Sequence, residues 1–196
     1  HGVAIEYADL HSILDAFAHY FHNGQITYEA FVDGVAYGGR EYVEHPEAFG
    51  VPERNVAYVQ STRKPVDDII AFLSEHEEEL DSLDIVAADT ALYRKIEEQI
   101  PLVTKSVYTT SAVSYRLEIS HKNSGKATGL AYVLKLLDIT PEETVAFGDG
   151  DNDAEMLEFA GLGVAMENAT ENCKAAADIV CDCCKNDGVA RFLYGF

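Results

Sequence analysis

The sequence predicts an α/β fold in two parts, an α+β unit over residues 1–120 and a parallel sheet over residues 121–196. The first part mixes hairpin strands with amphipathic helices, whereas in the second part short strands and helices alternate through short loops. Such alternation is typical of parallel strands whose crossover helices cover both faces of a sheet. The polar stretch 120–124 separates the two patterns and marks the predicted boundary.

The first predicted element is an amphipathic helix over residues 9–23, in which apolar side chains recur at helical spacing. Gly24 follows it as a helix stop. Asp33-Gly34 is the dipeptide of a tight hairpin turn, so the apolar runs on either side are predicted to pair as strands. These two strands cover residues 25–32 and 35–37.

The rest of the first part is predicted to begin with a short strand at residues 58–60. Pro65 is then expected to begin a helix, because proline is favoured in the first helical turn. The apolar stripe of this helix runs towards Leu80. The elements predicted after it are a strand at 83–88, a helix at 90–99 and strands at 103–108 and 113–119.

The second part opens with a predicted helix over residues 126–138 that is apolar on one side, at Leu130, Val133, Leu134 and Leu137. The next element, at residues 144–147, is a short and wholly apolar strand, as expected where a parallel sheet is buried on both faces. The remaining predicted elements are a helix at 152–160, a strand at 162–166, a helix at 170–177, a strand at 178–181 and a helix at 187–193.

Acidic side chains outnumber basic ones by 34 to 14, which gives a formal net charge of −20. Such a surface attracts cations and repels nucleic acids and anionic lipids, whose protein partners rely on Lys and Arg. No apolar run approaches the ~20 residues that span a bilayer, and residues 1–6 lack the layout of a signal peptide. We therefore expect neither a nucleic-acid partner nor a membrane partner.

Three of the four cysteines lie together in Cys181-Asp182-Cys183-Cys184, and the fourth is Cys173. Their position at one end of the chain argues against a disulfide framework. Zinc is an alternative, but Cys-x-Cys-Cys lacks the paired Cys-x-x-Cys of structural sites, and histidine is distant in sequence. Reduced thiols in a cytoplasmic protein are the favoured interpretation, which leaves the role of Cys181, Cys183 and Cys184 open.

The densest chemical signal follows the apolar strand at 144–147. The loop Gly148-Asp149-Gly150-Asp151-Asn152-Asp153 presents three carboxylates and an amide before a helix. Ligands bind beyond the carboxyl ends of parallel strands, and hard oxygen donors suit Mg²⁺. A solvated turn is less favoured, because carboxylates this close repel one another without a cation. A calcium-binding EF-hand loop is excluded, because it needs Gly and Glu where this chain has Ala154 and Ala160.

Lys126 lies at the predicted start of the helix over residues 126–138, directly after Ser124-Gly125. A helix N-terminus offers N–H groups and a positive dipole end to an anion, and a lysine there can neutralise a phosphoryl group. Taken alone, a lysine in this position is more often an exposed surface residue. The acidic loop that follows one helix and one strand later favours a functional role.

These features together resemble the C-terminal half of a haloacid dehalogenase superfamily phosphatase of the Cof-type branch, over residues 117–189. Residues 3–116 resemble the large α/β cap of that branch more loosely, by the order of elements. The resemblance implies a partial Rossmann-like sheet (121–196) with a cap domain that sets specificity (1–120). The motifs that carry it stand in the order typical of the branch: Lys126, Gly148–Asp153, Met156-Leu157, Gly163–Met166, Asn168-Ala169, Ala177-Asp178 and Asp187-Gly188-Val189.

The resemblance also implies roles for single residues. By position, Asp149 is a metal ligand and Asp153 a second-shell or auxiliary ligand. Asn152 helps to place the phosphate or its metal-bound water, and Lys126 pairs with the phosphoryl oxygens. The implied reaction is Mg²⁺-dependent phosphoryl transfer from a small phosphorylated metabolite, with sugar phosphates as the leading class, to an aspartate, followed by hydrolysis.

The nucleophile motif of this family, Asp-x-Asp-x-Thr after an early apolar strand, has no counterpart in the sequence, and neither does its Ser or Thr motif before the cap. Asp149 with Asp151 is a poor substitute, because the loop continues as Asn152-Asp153. We therefore expect a fragment that lacks an N-terminal segment and gives no turnover by itself. The strand at 144–147 is then an open edge, which favours aggregation or an edge-strand dimer.

Two alternatives to a phosphatase stay open at the level of sequence. One is a non-catalytic ligand-binding or interaction remnant, and the other is a phosphomutase, which shares much of the same machinery. The polar and aromatic residues of the first part do not identify a substrate.

Overall fold

The computed structural model describes residues 3–113 and 115–195. The chain divides into two compact units, His1–Asn123 and Ser124–Phe196. The elements of the first unit are α1 (Tyr7–His22), β1 (Ile26–Val32), β2 (Val35–Gly39), α2 (Arg40–Glu44), α3 (Glu53–Thr62), β3 (Arg63–Val66), α4 (Ile69–Glu75), β4 (Leu80–Ala87), α5 (Thr90–Val103), β5 (Val107–Val113) and β6 (Arg116–His121). Those of the second unit are α6 (Lys126–Leu137), β7 (Val145–Gly148), α7 (Ala154–Phe159), β8 (Leu162–Met166), α8 (Glu171–Ala176), β9 (Ile179–Cys181) and α9 (Gly188–Tyr194).

The first unit is built on a six-stranded sheet in the order β3-β2-β1-β4-β6-β5. All neighbouring strands are antiparallel except β2 and β3, which are parallel. Ile85 belongs to the main apolar core, which α1, α4 and α5 complete, whereas Val86 belongs to a smaller cluster with Tyr42 and Val59. Successive strand residues point to opposite faces, so the two clusters cover opposite faces of the sheet.

Two predictions in the first unit are wrong. Residues 58–60 form part of α3 and not a strand. α3 buries Val59 in the cluster that contains Val86 of β4, so this segment covers a face of the sheet instead of joining it. Pro65 lies in β3, at the edge of the sheet, where a missing N–H is tolerated. The helix begins instead after Asp68, whose side chain accepts hydrogen bonds from the Ile70 and Ala71 N–H groups.

The remaining predicted elements of the first unit are present with shifted ends. The apolar stripe of α4 stops before Leu80, which opens β4. The predicted helix at 90–99 continues to Val103, and the two following strands begin three or four residues later than expected. Ser114, which the predicted strand 113–119 includes, lies outside the described residues.

The second unit holds a parallel three-stranded sheet in the order β7-β8-β9. The predicted alternation of strands and helices is confirmed, and β8 has the predicted bounds. Ala146, Ala165 and Cys173 lie in its buried core, and Phe147 of β7 contacts Phe192 of α9 with ring centroids 5.6 Å apart. β7 is an edge strand of this sheet. Whether the two units act as cap and core stays a prediction.

One face of α6 is less buried than its sequence predicts. Leu134 is buried, and Leu130 packs against the core from a partly exposed position. Val133 and Leu137 are 46% and 61% exposed, so the predicted apolar side is only half covered. Among the described residues, no helix has both the length and the apolar character that crossing a lipid bilayer requires.

Candidate functional site

The candidate site lies in the loop between β7 and α7. β7 ends at Gly148, and a 3-10 turn over Asp151–Asp153 leads into α7. Gly148 and Ala165 are register partners in parallel strands, so the loop sits at the carboxyl edge of the sheet. That edge is where parallel α/β sheets bind their ligands.

Asp153 is the structural centre of this loop. Its side chain is buried, with 4% exposure, and its Oδ2 accepts hydrogen bonds from the backbone N–H groups of Asp149 (2.9 Å) and Gly150 (3.0 Å). Its Oδ1 accepts a hydrogen bond from Nζ of Lys126. A Cβ at position 148 would overlap the Asp153 side chain, so only glycine fits at the end of β7. Asp153 therefore fixes the backbone on which Asp149 is presented.

The electrostatics of the loop keep Asp153 ionised. Burial opposes the charged form, but the hydrogen bonds from Lys126 and from the backbone of Gly150 and Asp149 outweigh it and lower the pKa of Asp153 below its ordinary value. The carboxylate therefore stays negative at neutral pH and holds the ammonium of Lys126 in place.

Lys126 is the first residue of α6, and its side chain is 47% exposed. The ammonium thus binds Asp153 on one side and remains open to solvent on the other. The structure brings together the lysine and the acidic loop that the sequence treats as separate features. The predicted contact of Lys126 with phosphoryl oxygens stays a prediction.

Asp149 points to solvent and is held by the loop that follows β8. Nδ2 of Asn168 lies 3.3 Å from Oδ2 of Asp149, and the N–H of Thr170 donates to the Asp149 carbonyl over 3.0 Å. Oγ1 of Thr170 also donates to Oδ1 of Asp151 over 2.5 Å. The loop after β8 therefore fixes both exposed carboxylates of the loop after β7.

Asn168 and Thr170 are site residues that the sequence reasoning missed. Asn168 belongs to one of the motifs of the family resemblance, but its spacing does not reveal that it reaches Asp149. Asn152 is half-buried, and its Oδ1 would lie 2.6 Å from a Cβ at position 150. Its side chain therefore folds over Gly150, and its predicted role in placing the phosphate is untested.

The donor set of this loop fits Mg²⁺. Asp149 and Asp151 are exposed carboxylates that lie on one loop. Mg²⁺ binds one or two carboxylates and keeps several waters. Both oxygens of Asp153 are already engaged by N–H donors, which suits an auxiliary role for this residue more than a direct one.

Comparison with known proteins points to one family. The family model for haloacid dehalogenase-like hydrolases matches residues 4–193. A phosphoglycolate phosphatase of Methanopyrus kandleri is 32% identical over 162 residues, which are 80% of this chain and 68% of that protein. The 5-amino-6-(5-phospho-D-ribitylamino)uracil phosphatase YitU of Bacillus subtilis is 46% identical over 77 residues, which are 39% of this chain and 28% of that protein.

Solved structures of similar fold include members of the same family. A haloacid dehalogenase-like hydrolase from B. subtilis superposes with a TM-score of 0.74 at 23% identity, over 97% of this chain and 71% of that one. In each of these three comparisons the chain corresponds to part of a longer protein. The aligned parts cover 68%, 28% and 71% of the respective relatives.

Proposed function

This chain belongs to the haloacid dehalogenase-like hydrolase family, and from that premise we propose that it forms the phosphate- and Mg²⁺-binding part of a phosphatase for small phosphorylated metabolites. The observation that carries the proposal is the position of Asp153, which connects Lys126 to the backbone of Asp149. The proposed cation for phosphoryl oxygens, on α6, and the proposed metal ligand, on the loop after β7, are thereby connected through one carboxylate.

Asp149 is the proposed metal ligand, and Asp151 lies beside it on the same loop. Bound Mg²⁺ supplies neutralisation of the charge on a transferring phosphoryl group. Asn168 orients Asp149 by its hydrogen bond to Oδ2, and Thr170 holds the backbone of Asp149 and the side chain of Asp151. Ligand orientation by such neighbouring groups strengthens metal binding.

Lys126 is proposed to bind the phosphoryl oxygens directly. The positive charge of Lys126 is balanced by Asp153, but the side chain is 47% exposed. Ammonium N–H donors therefore remain free for a phosphate. The surface as a whole carries a charge of −20 and repels a phosphate dianion. A local cation is therefore needed for an anionic substrate, and within the described residues of this loop and its neighbours Lys126 supplies it.

The proposed substrates are small phosphorylated metabolites, with sugar phosphates as the leading class. Two relatives support small phosphorylated metabolites as substrates by their names, the phosphoglycolate phosphatase and the 5-amino-6-(5-phospho-D-ribitylamino)uracil phosphatase. The proposed location is the cytoplasm, because the four cysteines are free thiols, as expected in a reducing compartment.

Turnover is proposed to require an Asp-x-Asp-x-Thr segment, which the 196 residues do not contain. The test is hydrolysis of p-nitrophenyl phosphate with and without Mg²⁺, by this chain and by a longer form that carries such a segment. We expect Mg²⁺-dependent turnover by the longer form and none above background by the chain alone. Without turnover by either form, a non-catalytic role would be favoured.

The metal role is tested by Asp149→Asn in the longer form, with Asp138→Asn as the matched control. Asp138 is an exposed aspartate at the end of α6. We expect Asp149→Asn to lower Mg²⁺-dependent turnover at least a hundredfold, in the range of lost transition-state charge stabilisation, and Asp138→Asn to leave it unchanged. Full activity in Asp149→Asn would contradict the assignment.

A further inference from the structure

The cysteine-rich segment after β9 has no role in the proposed phosphatase site. β8 ends at Met166 and β9 at Cys181, so Glu167 and Asp182 each directly follow the carboxyl end of a parallel strand. Parallel strands that pair in register bring the residues after their ends to the same edge. Side chains distant in sequence therefore meet there.

Three donors converge at this point. One ligand atom from each of Glu167, Asp182 and Cys183 lies within 4.8 Å of the other two. Glu167 is exposed and the other two are half-buried. A cavity of about 440 Å³ is lined by Glu167, Asn168, Cys183, Cys184 and Lys185. The cluster thus combines two carboxylates with the thiol of Cys183. A second thiol, that of Cys184, lines the adjacent cavity.

We propose that Glu167, Asp182 and Cys183 form a binding site for one zinc-class divalent cation, separate from the Mg²⁺ site at Asp149. Thiolate sulfur selects borderline-soft cations over Mg²⁺ and Ca²⁺, which prefer oxygen alone. Atoms that share one tetrahedral zinc ion at about 2.0–2.3 Å lie roughly 3.5 Å apart. Small side-chain rotations therefore bring the three donors into range and leave a fourth position open to the cavity.

Asp182 is already oriented for such a role. Its Oδ1 accepts hydrogen bonds from the Cys183 N–H and from Nδ2 of Asn186, both over 2.8 Å, and its Oδ2 accepts one from Arg191 over 3.1 Å. Each carboxylate oxygen has a second lone pair that can bind a cation. The Arg191 side chain is 70% exposed, so its ion pair is weak and displaceable.

The sequence argued against zinc because Cys-x-Cys-Cys lacks a second Cys pair and a nearby histidine. The structure changes this interpretation, since it adds a carboxylate from another strand end. Lys185 opposes the binding of a cation, because this basic residue lines the same cavity. An open three-ligand site with one opposing cation suits reversible binding better than the closed four-ligand sites that hold structural zinc.

The test is a titration of the full chain with Co²⁺, and then with Zn²⁺, in a reductant that does not bind metal. We expect one equivalent of Co²⁺ to give the near-ultraviolet charge-transfer band of a thiolate ligand and Zn²⁺ to remove it. Cys183→Ser should abolish the band and weaken Zn²⁺ binding at least tenfold, Glu167→Gln should weaken binding, and Lys185→Gln should strengthen it. Circular dichroism checks that each variant is folded.

Two controls separate this site from its neighbours. Cys184→Ser should keep the band, and Asp149→Asn should keep both the band and the affinity for Zn²⁺. The proposal is overturned if the wild-type chain gives no thiolate band, if Cys183→Ser retains it, or if Cys184→Ser loses it. Loss of Co²⁺ binding in Asp149→Asn would likewise overturn it, by placing the ion at the proposed Mg²⁺ site.

Discussion

Lys126 and Asp153, 27 residues apart in sequence, are joined by a hydrogen bond from the ammonium Nζ to the carboxylate Oδ1. The pair connects the first residue of α6 to the loop after β7. Because Asp153 also binds two backbone N–H groups, one ion pair sets both the position of the lysine and the conformation of the loop. The stability of this loop and its chemistry are therefore coupled.

Replacing Lys126 by methionine removes the ammonium and keeps most of the apolar stem. Asp153 then keeps a buried charge with only backbone donors, so we expect the free energy of unfolding of the second unit to fall by about 1 kcal/mol, a modest loss because the lysine is half exposed. Denaturant titration followed by amide NMR signals of this unit measures it. Lys135→Met, an exposed lysine on the same helix, should have no such effect; equal losses would contradict the coupling.

Asp153 also makes the second unit sensitive to acid. Its native pKa is lowered, so its stabilising contribution is present above the ordinary aspartate pKa of about 4 and is lost as the pH falls through the native value. Asp153→Asn should cost about 2 kcal/mol at pH 7, since the amide cannot accept all three hydrogen bonds. It should also flatten the acid limb of the stability curve.

The control for this titration is Asp138→Asn. Asp138 is exposed and has a left-handed backbone conformation that asparagine tolerates. The measurement is the free energy of unfolding between pH 3 and 7. The same acid limb in Asp153→Asn and in the wild type would show that another group controls it.

Gly148 and Gly129 provide a matched pair of glycine substitutions in the same unit. A Cβ at position 148 meets the side chain of Asp153, whereas a Cβ at position 129, inside α6, meets nothing within 4 Å. Gly148→Ala should displace Asp153 and lower the melting temperature. Gly129→Ala should raise stability by about 0.5–1 kcal/mol through helix propensity. Equal effects of both changes in a thermal melt would be incompatible with this packing.

Asp84 in the first unit affects stability with a pH dependence opposite to that of Asp153. Its carboxyl is 2% exposed, and its register neighbours on β1 and β6 are Glu29 and Glu118. Burial and these carboxylates raise its pKa well above the ordinary value, although Arg116, 3.3 Å away, opposes the shift. The native state therefore binds a proton that the unfolded state has released, and stability falls as the pH rises from about 4 towards the native pKa.

Asp84→Asn keeps the shape of the side chain but cannot ionise. We expect its free energy of unfolding to be less dependent on pH in this range and to equal or exceed that of the wild type above it. Asp15→Asn, at an exposed position of α1, is the control and should follow the wild type. Denaturant titrations at several pH values make the comparison. A steeper decline in Asp84→Asn than in the wild type would contradict a raised pKa.

Local patterns predicted most elements because their causes are local. The helical spacing of residues such as Leu10 and Phe17 and the Asp33-Gly34 turn need no knowledge of distant contacts. The strand predicted at 58–60 is wrong because β-propensity reports the fit of a residue within a sheet, whereas Val59 lies on a helix that covers one face of the sheet. Likewise, α4 begins after Asp68 and not at Pro65, because the Asp68 side chain caps the N–H groups of its first turn.

The candidate site was predictable in its residue types but not in its connections. Lys126 and the loop 148–153 stand out by chemistry, and parallel topology places that loop at the carboxyl edge of the sheet. The hydrogen bonds of Asn168 and Thr170 to this loop depend on the register of β7 against β8, which the sequence does not specify. The meeting of Glu167 with Asp182 and Cys183 depends likewise on how β8 pairs with β9.

The edge strand β7 is expected to drive self-association of this chain. Among the residues that the structure describes, β7 pairs with β8 alone, and Val145 at its start is 43% exposed. An unpaired apolar edge is a template for another strand. Val145→Lys should therefore shift the chain from dimer or aggregate towards monomer in light scattering and raise hydrogen exchange along β7. Leu136→Lys, on the exposed face of α6, is the control. If this change abolishes association instead, the contact is the helix face and not the strand edge. A monodisperse wild-type monomer with slow hydrogen exchange in β7 would contradict both.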